Sequence, residues 1–146
     1  MAWPTVTDGT TVLNKALFDA IEDYIPTADV GIVDGRLTLT SGTPVTTADV
    51  TGVTNIYFTP YAGNRIALYD GSSGWNVRTF TEITIALGTL TDAKPYDLFA
   101  YDNSGTVTFD SPVAWTNSTT RATALTTQDG VLVKTGATTR RYIGTF

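Results

Sequence analysis

The chain contains no histidine and no cysteine, and among its 146 residues there is a single methionine. Without cysteine there is no disulfide framework and no thiolate metal site. Without histidine the commonest general base and metal ligand are gone, and with them every Ser-His-Asp and Cys-His arrangement. Charge is sparse as well: 16% of residues are Asp, Glu, Lys or Arg, with a net of −5. An acidic balance of that kind argues against a phosphate-backbone binder, so no nucleic-acid partner is expected. No window approaches the ~20 apolar residues of a membrane span. The opening MAWPTVTDG has neither a basic stretch nor an apolar core, so a Sec-type signal is not expected.

What the chain does have is threonine, thirty of them, about a fifth of the sequence. β-branched side chains favour pleated, half-buried surfaces over helices. The stretch 65–80, RIALYDGSSGWNVRTF, shows the pattern most plainly. Its two halves, Arg65–Tyr69 and Trp75–Phe80, alternate with a period of two, and the loop between them holds two glycines. Such a stretch predicts a β-hairpin. The same grammar gives strands at Arg36–Thr40, Ile56–Thr59, Glu82–Leu87, Tyr96–Tyr101, Val107–Asp110, Val131–Lys134 and Arg140–Phe146. Ser41–Val53 reads as a long loop or weak edge strand, and Ser111–Trp115 as a segment bent at Pro112. Thr119–Gln128 reads as a short helix with Ala122 and Leu125 inward, against the preference of its threonines. The predicted fold is mainly β, about eight or nine strands forming an antiparallel sandwich with a jelly-roll-like arrangement.

Ahead of this body the pattern changes. Trp3-Pro4 opens an extended arm. Leu13, Ala16, Leu17, Ala20, Ile21 and Tyr24 then fall on one helical face, so one short helix is expected over Lys15–Tyr24. Asn14 is its N-cap, with Leu13 and Phe18 placed as a hydrophobic staple. Pro26 ends it. Ten residues of helix do not stand alone, so that face must dock, by default on its own chain and alternatively on another subunit. The division expected is an arm and helix over residues 1–30 and a β domain over 31–146. Charge is divided similarly. Residues 1–50 carry seven carboxylates against Lys15 and Arg36, whereas 103–146 carry Asp110 and Asp129 against Arg121, Lys134, Arg140 and Arg141. The plain reading is chance clustering on a solvated surface; the sharper one is head-to-tail complementarity between copies or with a neighbour.

No motif carries a reaction. Asp70-Gly71-Ser72 and Asp102-Asn103-Ser104-Gly105 faintly resemble calcium loops, but the twelve-residue pattern with its closing Glu is absent and turn chemistry explains both. The only glutamates, Glu22 and Glu82, lie on a helix face and in an inter-strand turn, and do not form a glycosidase pair. No enzyme activity, cofactor or metal is expected. Aromatic residues are the strongest remaining signal, suited to a core, to a protein interface or to sugar stacking.

Ile66-Ala67-Leu68-Tyr69-Asp70-Gly71, Trp75-Asn76-Val77, Ala86-Leu87-Gly88, Tyr96-Asp97-Leu98-Phe99-Ala100-Tyr101, Ala114-Trp115-Thr116, Gln128-Asp129-Gly130-Val131 and Arg140-Arg141-Tyr142-Ile143-Gly144-Thr145 carry a resemblance. They resemble a module of structural proteins of tailed-bacteriophage virions, in head-decoration, fibre and spike proteins. The stretch 8–17, DGTTVLNKAL, looks like the leading segments by which such proteins attach to a particle. The resemblance implies a non-enzymatic β-sandwich homotrimer made in the host cytoplasm and located in the virion. It implies a capsid cement or decoration protein bound to the major capsid protein or other virion proteins. The alternative is a tail-fibre or spike module binding a host glycan or receptor. Partner contacts are expected at Trp3, Pro4, Val6, Leu13, Leu17, Phe18 and Ile21, and at the basic pair Arg140 and Arg141.

Overall fold

The structure, a computed structural model, describes residues 30–146. The arm and the short helix expected before that point lie outside the described residues. What is described is mainly β, with eleven strands, every pairing antiparallel, and no helix. In chain order they are β1 (Gly35–Thr38), β2 (Asn55–Pro60), β3 (Arg65–Tyr69), β4 (Trp75–Thr79), β5 (Ile83–Ala86), β6 (Tyr96–Asn103), β7 (Thr106–Phe109), β8 (Val113–Ala114), β9 (Leu125–Gln128), β10 (Val131–Lys134) and β11 (Ala137–Thr145).

Three sheets result: β1-β2-β5, β3-β4, and a six-stranded sheet ordered β7-β6-β11-β10-β9 with β8 also on β6. The first two are joined by the residues leading into β1. Val33 bridges Ile66, the Ala67 amide donates to the Ile32 carbonyl, and the Asp34 amide donates to the Arg65 carbonyl. On the same side the Asp34 carbonyl accepts from the Tyr61 amide. The line 32–38 thus runs along β3 and then along β2, and residues 61–64 loop out between those strands, with Ala62 at a φ of 60°.

The turns follow from residue chemistry. β9 and β10 meet through Asp129-Gly130, both at positive φ, and β6 and β7 through Ser104-Gly105, also both positive. Two-residue loops of that kind match the right-handed twist of the strands they join. Asp70 closes the β3–β4 hairpin by accepting the amides of Ser72, Ser73 and Gly74. Those three bonds, Ser72 first, hold its carboxyl well below the usual carboxylate range.

One core serves all three sheets: Phe58, Ile66, Leu68, Phe80, Ile85, Leu98, Ala100 and Val107. Phe58 stacks on Phe80 at 4.7 Å and leans on Phe109 at 5.2 Å. Gly35 lies over the Phe58 ring so closely that a Cβ there would overlap it, which is why the first strand begins on glycine.

Three expectations are corrected. Thr119–Gln128 is not helical: residues 116–124 form a loop and Leu125–Gln128 a strand. The physical reason is local competition. Asn117 Oδ1 accepts the amides of Thr119 and Thr120, and the threonines that follow suit a pleated strand better than a helix. The closing strand begins at Ala137 rather than Arg140, because it pairs from Lys134 onward across a tight turn. Successive strands from β6 to β11 keep to one sheet, whereas a jelly roll builds two Greek keys across a pair of sheets. Ser41–Val53 contains no strand and forms a loop.

Candidate functional site

The densest gathering of polar side chains lies on the face of the six-stranded sheet turned away from the core. In β6, Leu98 and Ala100 enter the core, so Asp97, Phe99 and Tyr101 take the other face. Asp97 is nevertheless only 1% exposed. The loop 116–124 folds back over it and brings Arg121, whose Nε donates to both Asp97 oxygens at 3.1 and 3.3 Å. Arg121 Nη2 continues to the Tyr142 hydroxyl at 3.1 Å and to Thr145 Oγ1 at 3.2 Å. Its guanidinium lies 4.6 Å over the Trp115 ring and 5.3 Å from that of Tyr142.

A backbone irregularity makes this cluster possible. β11 pairs Tyr142 with Phe99 but Gly144 with Leu98, a bulge that shifts the register between them. Strict alternation would send Tyr142 and Thr145 to opposite faces; the extra residue returns Thr145 to the side of Asp97. The two hydroxyls then meet at 2.6 Å, and Thr145 Oγ1 also donates to Asp97. Gly144 itself passes close to Leu37 on the core side. Every oxygen of the buried carboxylate therefore has a donor, as a charge at this depth requires. Trp115 Nε1 is buried beside the cluster and meets no acceptor among the described residues.

Comparisons with family models, with curated proteins and with solved structures find no match. The chemistry of the described surface therefore rests on its own geometry.

Of the residues expected to contact partners, Trp3, Pro4, Val6, Leu13, Leu17, Phe18 and Ile21 lie outside the described residues. Arg140 and Arg141 are described, and adjacency in a strand sends them to opposite faces. Arg140 pairs with Asp110 at 3.1 Å and lies 3.7 Å over the Tyr101 ring. Arg141 turns inward and is 5% exposed. Its Nη1 donates to the Val30 and Ala67 carbonyls at 2.7 and 2.8 Å. Among the described residues no carboxylate pairs with it, and burial pushes its pKa down to about 10.

Glu82, Asp129 and Asp102 also work on their own chain. Glu82 accepts from Ser41 Oγ, the Gly42 amide and Thr59 Oγ1, tying the 41–53 loop to β2. These bonds, Ser41 first, lower its pKa. Asp129, in the β9–β10 turn, accepts from Trp75 Nε1 at 2.9 Å and is lowered chiefly by that bond. Asp102 caps its own turn at Gly105 and pairs with Arg78. Among the described residues no three of Asp, Glu, His and Cys gather as a metal centre. Sequence reasoning placed Asp97 in the strand Tyr96–Tyr101, but it missed Arg121, Tyr142 and Thr145 as its partners. No local signal marks them, because the bulge that joins them is a property of the β6–β11 pairing.

Proposed function

We propose that this chain is a non-enzymatic structural protein of a tailed-phage particle, a cement or decoration protein whose β domain is a rigid antiparallel sandwich. The virion assignment comes from the sequence resemblance. The observation that carries the structural role is where the polar groups go: Asp34, Asp97, Asp102 and Asp110 each pair with an arginine of the same chain. Asp70 accepts from its own turn, Glu82 from Ser41, Gly42 and Thr59, and Asp129 from Trp75 and Gln128, and these bonds lower all three from their ordinary values. A general acid at neutral pH needs the opposite shift. These groups brace the body instead of activating a substrate.

On this reading the acidic N-terminal segment is the attachment element, with Trp3, Pro4 and Val6 as its hook, and the body oligomerises as a trimer on the capsid. Truncating an aromatic anchor typically costs about 2 kcal/mol, roughly thirtyfold in affinity per site. Trp3→Ala is expected to leave the melting temperature unchanged and to reduce co-sedimentation with particles, more steeply than thirtyfold where three arms act together. Full occupancy by Trp3→Ala protein would refute the hook. Imaging of purified particles tests the location: hundreds of copies on the head support decoration. A few copies at the tail would instead favour a fibre or spike module binding a host glycan. Tyr61, 42% exposed with Arg36 stacked 3.9 Å over its ring, is the aromatic surface that would serve that second role.

A further inference from the structure

We propose that the slot between β5 and β7 is a docking site for an extended, uncharged segment of a partner protein, which adds there as a strand. Two adjoining cavities make the slot. One, of about 350 Å³, lies between residues 79–83 and residues 105–107. The other, of about 250 Å³, lies between residues 83–86 and residues 107–111. Ile83 and Val107 line both, so the cavities form one channel of the size of a ligand site. Along it low numbers face low and high face high, so the two walls run in the same direction. Yet β5 and β7 do not pair with each other. Among the described residues β5 ends the three-stranded sheet and β7 ends the six-stranded one.

The walls present main chain to the slot. In an antiparallel ladder, residues that exchange hydrogen bonds alternate with residues whose amide and carbonyl point away from the partner strand. The Leu87 amide donates to the Thr54 carbonyl, continuing the register of Ala86 with Asn55. Counting back, Ile85 and Ile83 bond to β2, and Thr84 and Ala86 turn their main-chain groups to the slot. The Asp110 amide donates to the Phe99 carbonyl, continuing the register of Phe109 with Ala100. By the same count Thr108 and Thr106 bond to β6, and Val107 and Phe109 turn theirs to the slot. A strand laid between the walls meets donors and acceptors from both, and it joins the two sheets into one. The side chains decide its composition. Ile83 and Phe109 pack on the core yet stay partly exposed, an apolar floor, while exposed Thr84 and Thr106 form a hydroxyl rim. One residue of the lining is charged, Asp110, and Arg140 already pairs with it at 3.1 Å. A charged segment would lose its hydration there without a counter-ion, so the slot selects alternating apolar and hydroxyl residues. A glycan would use the rim but leave the strand-spaced amides unmatched. The inference rests on main-chain geometry and stands apart from the particle reading.

The probe is a synthetic peptide, Lys-Val-Thr-Val-Thr-Val-Thr-Val-Lys, added to the isolated full chain and followed by NMR. The expected result is saturable shifts of the Thr84, Ala86, Val107 and Phe109 amides, with slowed hydrogen exchange at the same positions. Absence of those shifts would overturn the proposal. The peptide N-methylated at its valines is expected to bind at least about tenfold more weakly, because it has lost its donors to one wall. Equal binding of the methylated peptide would show that main chain is not read, and would overturn the proposal. Ala86→Pro removes one slot-facing amide from an edge strand and leaves the β2 ladder its bonds. It is expected to weaken the unmodified peptide by a similar factor, and an unchanged affinity counts against the site. Slowed exchange of these amides before any peptide is added would mean that the slot is already filled. A second copy fills it if the protection rises with protein concentration, the chain itself if it does not, and either overturns the proposal. Shifts of the same amides by maltoheptaose would assign the slot to sugars and overturn it too. All measurements use isolated protein, so their failure is separable from failure to bind a particle.

Discussion

Glu82 and Arg141 show how single residues hold this chain in place. Glu82 binds one loop to one strand through three donors, and its pKa is lowered from the ordinary 4.5. A carboxylate depressed in the folded state contributes stability that is present above its unfolded pKa and lost as pH falls through the folded value. The wild-type melting temperature is therefore expected to fall as pH drops below the ordinary glutamate value of 4.5. Glu82→Gln should melt lower at neutral pH and show a shallower acid slope, because one of the linked carboxylates is gone. An identical acid slope in the variant would remove Glu82 from this role. Arg141 binds the entering chain to β3 through carbonyls at 2.7 and 2.8 Å. Hydrogen bonds to a charged donor are worth about 1.5–3 kcal/mol each. Arg141→Ala, which leaves two carbonyls without this donor, is expected to cost about 3 kcal/mol, measured by denaturant unfolding. Arg140→Ala is expected to cost under about 1 kcal/mol, since its pairing with Asp110 is partly solvated.

At the level of elements, the first strand is fitted to one ring. Gly35 sits against Phe58, which is fully buried between Phe80 and Phe109. Phe58→Ala is expected to cost about 3–5 kcal/mol, the usual range for emptying an aromatic site. Gly35→Ala should cost about 1–3 kcal/mol by overpacking the same site, although it adds only a methyl. Urea titrations of both variants check this; a neutral Gly35→Ala would mean that the strand shifts freely over the ring. The β-hairpins were legible because Asp129-Gly130 and Ser104-Gly105 write their turn type in local residues. Residues 119–128 were not, since a threonine-rich run with apolar residues at 122, 124 and 125 satisfies a short helix and a short strand alike.

For the molecule as a whole, the three sheets close over one core, and on the far face Phe99 packs on Tyr142 under Lys134 while Arg121 of the loop 116–124 reaches over Trp115 and Tyr142. The Asp97–Arg121 cluster holds that loop down. Arg121→Ala leaves a carboxylate 1% exposed without its cation. Breaking a buried pair from one side costs about 3–5 kcal/mol, and the variant is expected to lose that much stability. Asp97→Asn with Arg121→Ala should recover part of the loss; a double variant no better than the single would mean that the pair carries no coupling.

The sequence by itself determined the class of this protein and its punctuation. Alternation over 65–69 and 96–101 set which residues face inward, glycine and aspartate set the turns, and the missing histidine and cysteine removed whole chemistries. Only the tertiary structure decided where the charged residues went. Asp97 and Arg121 are 24 positions apart, and Arg141 is 74 from the Ala67 carbonyl it binds. Neither pairing has a local trace, because the first depends on the loop 116–124 folding back over β6 and the second on β11 lying against β3. A period of two says that Arg140 and Arg141 part company. Which of them is buried depends on the strand lying opposite.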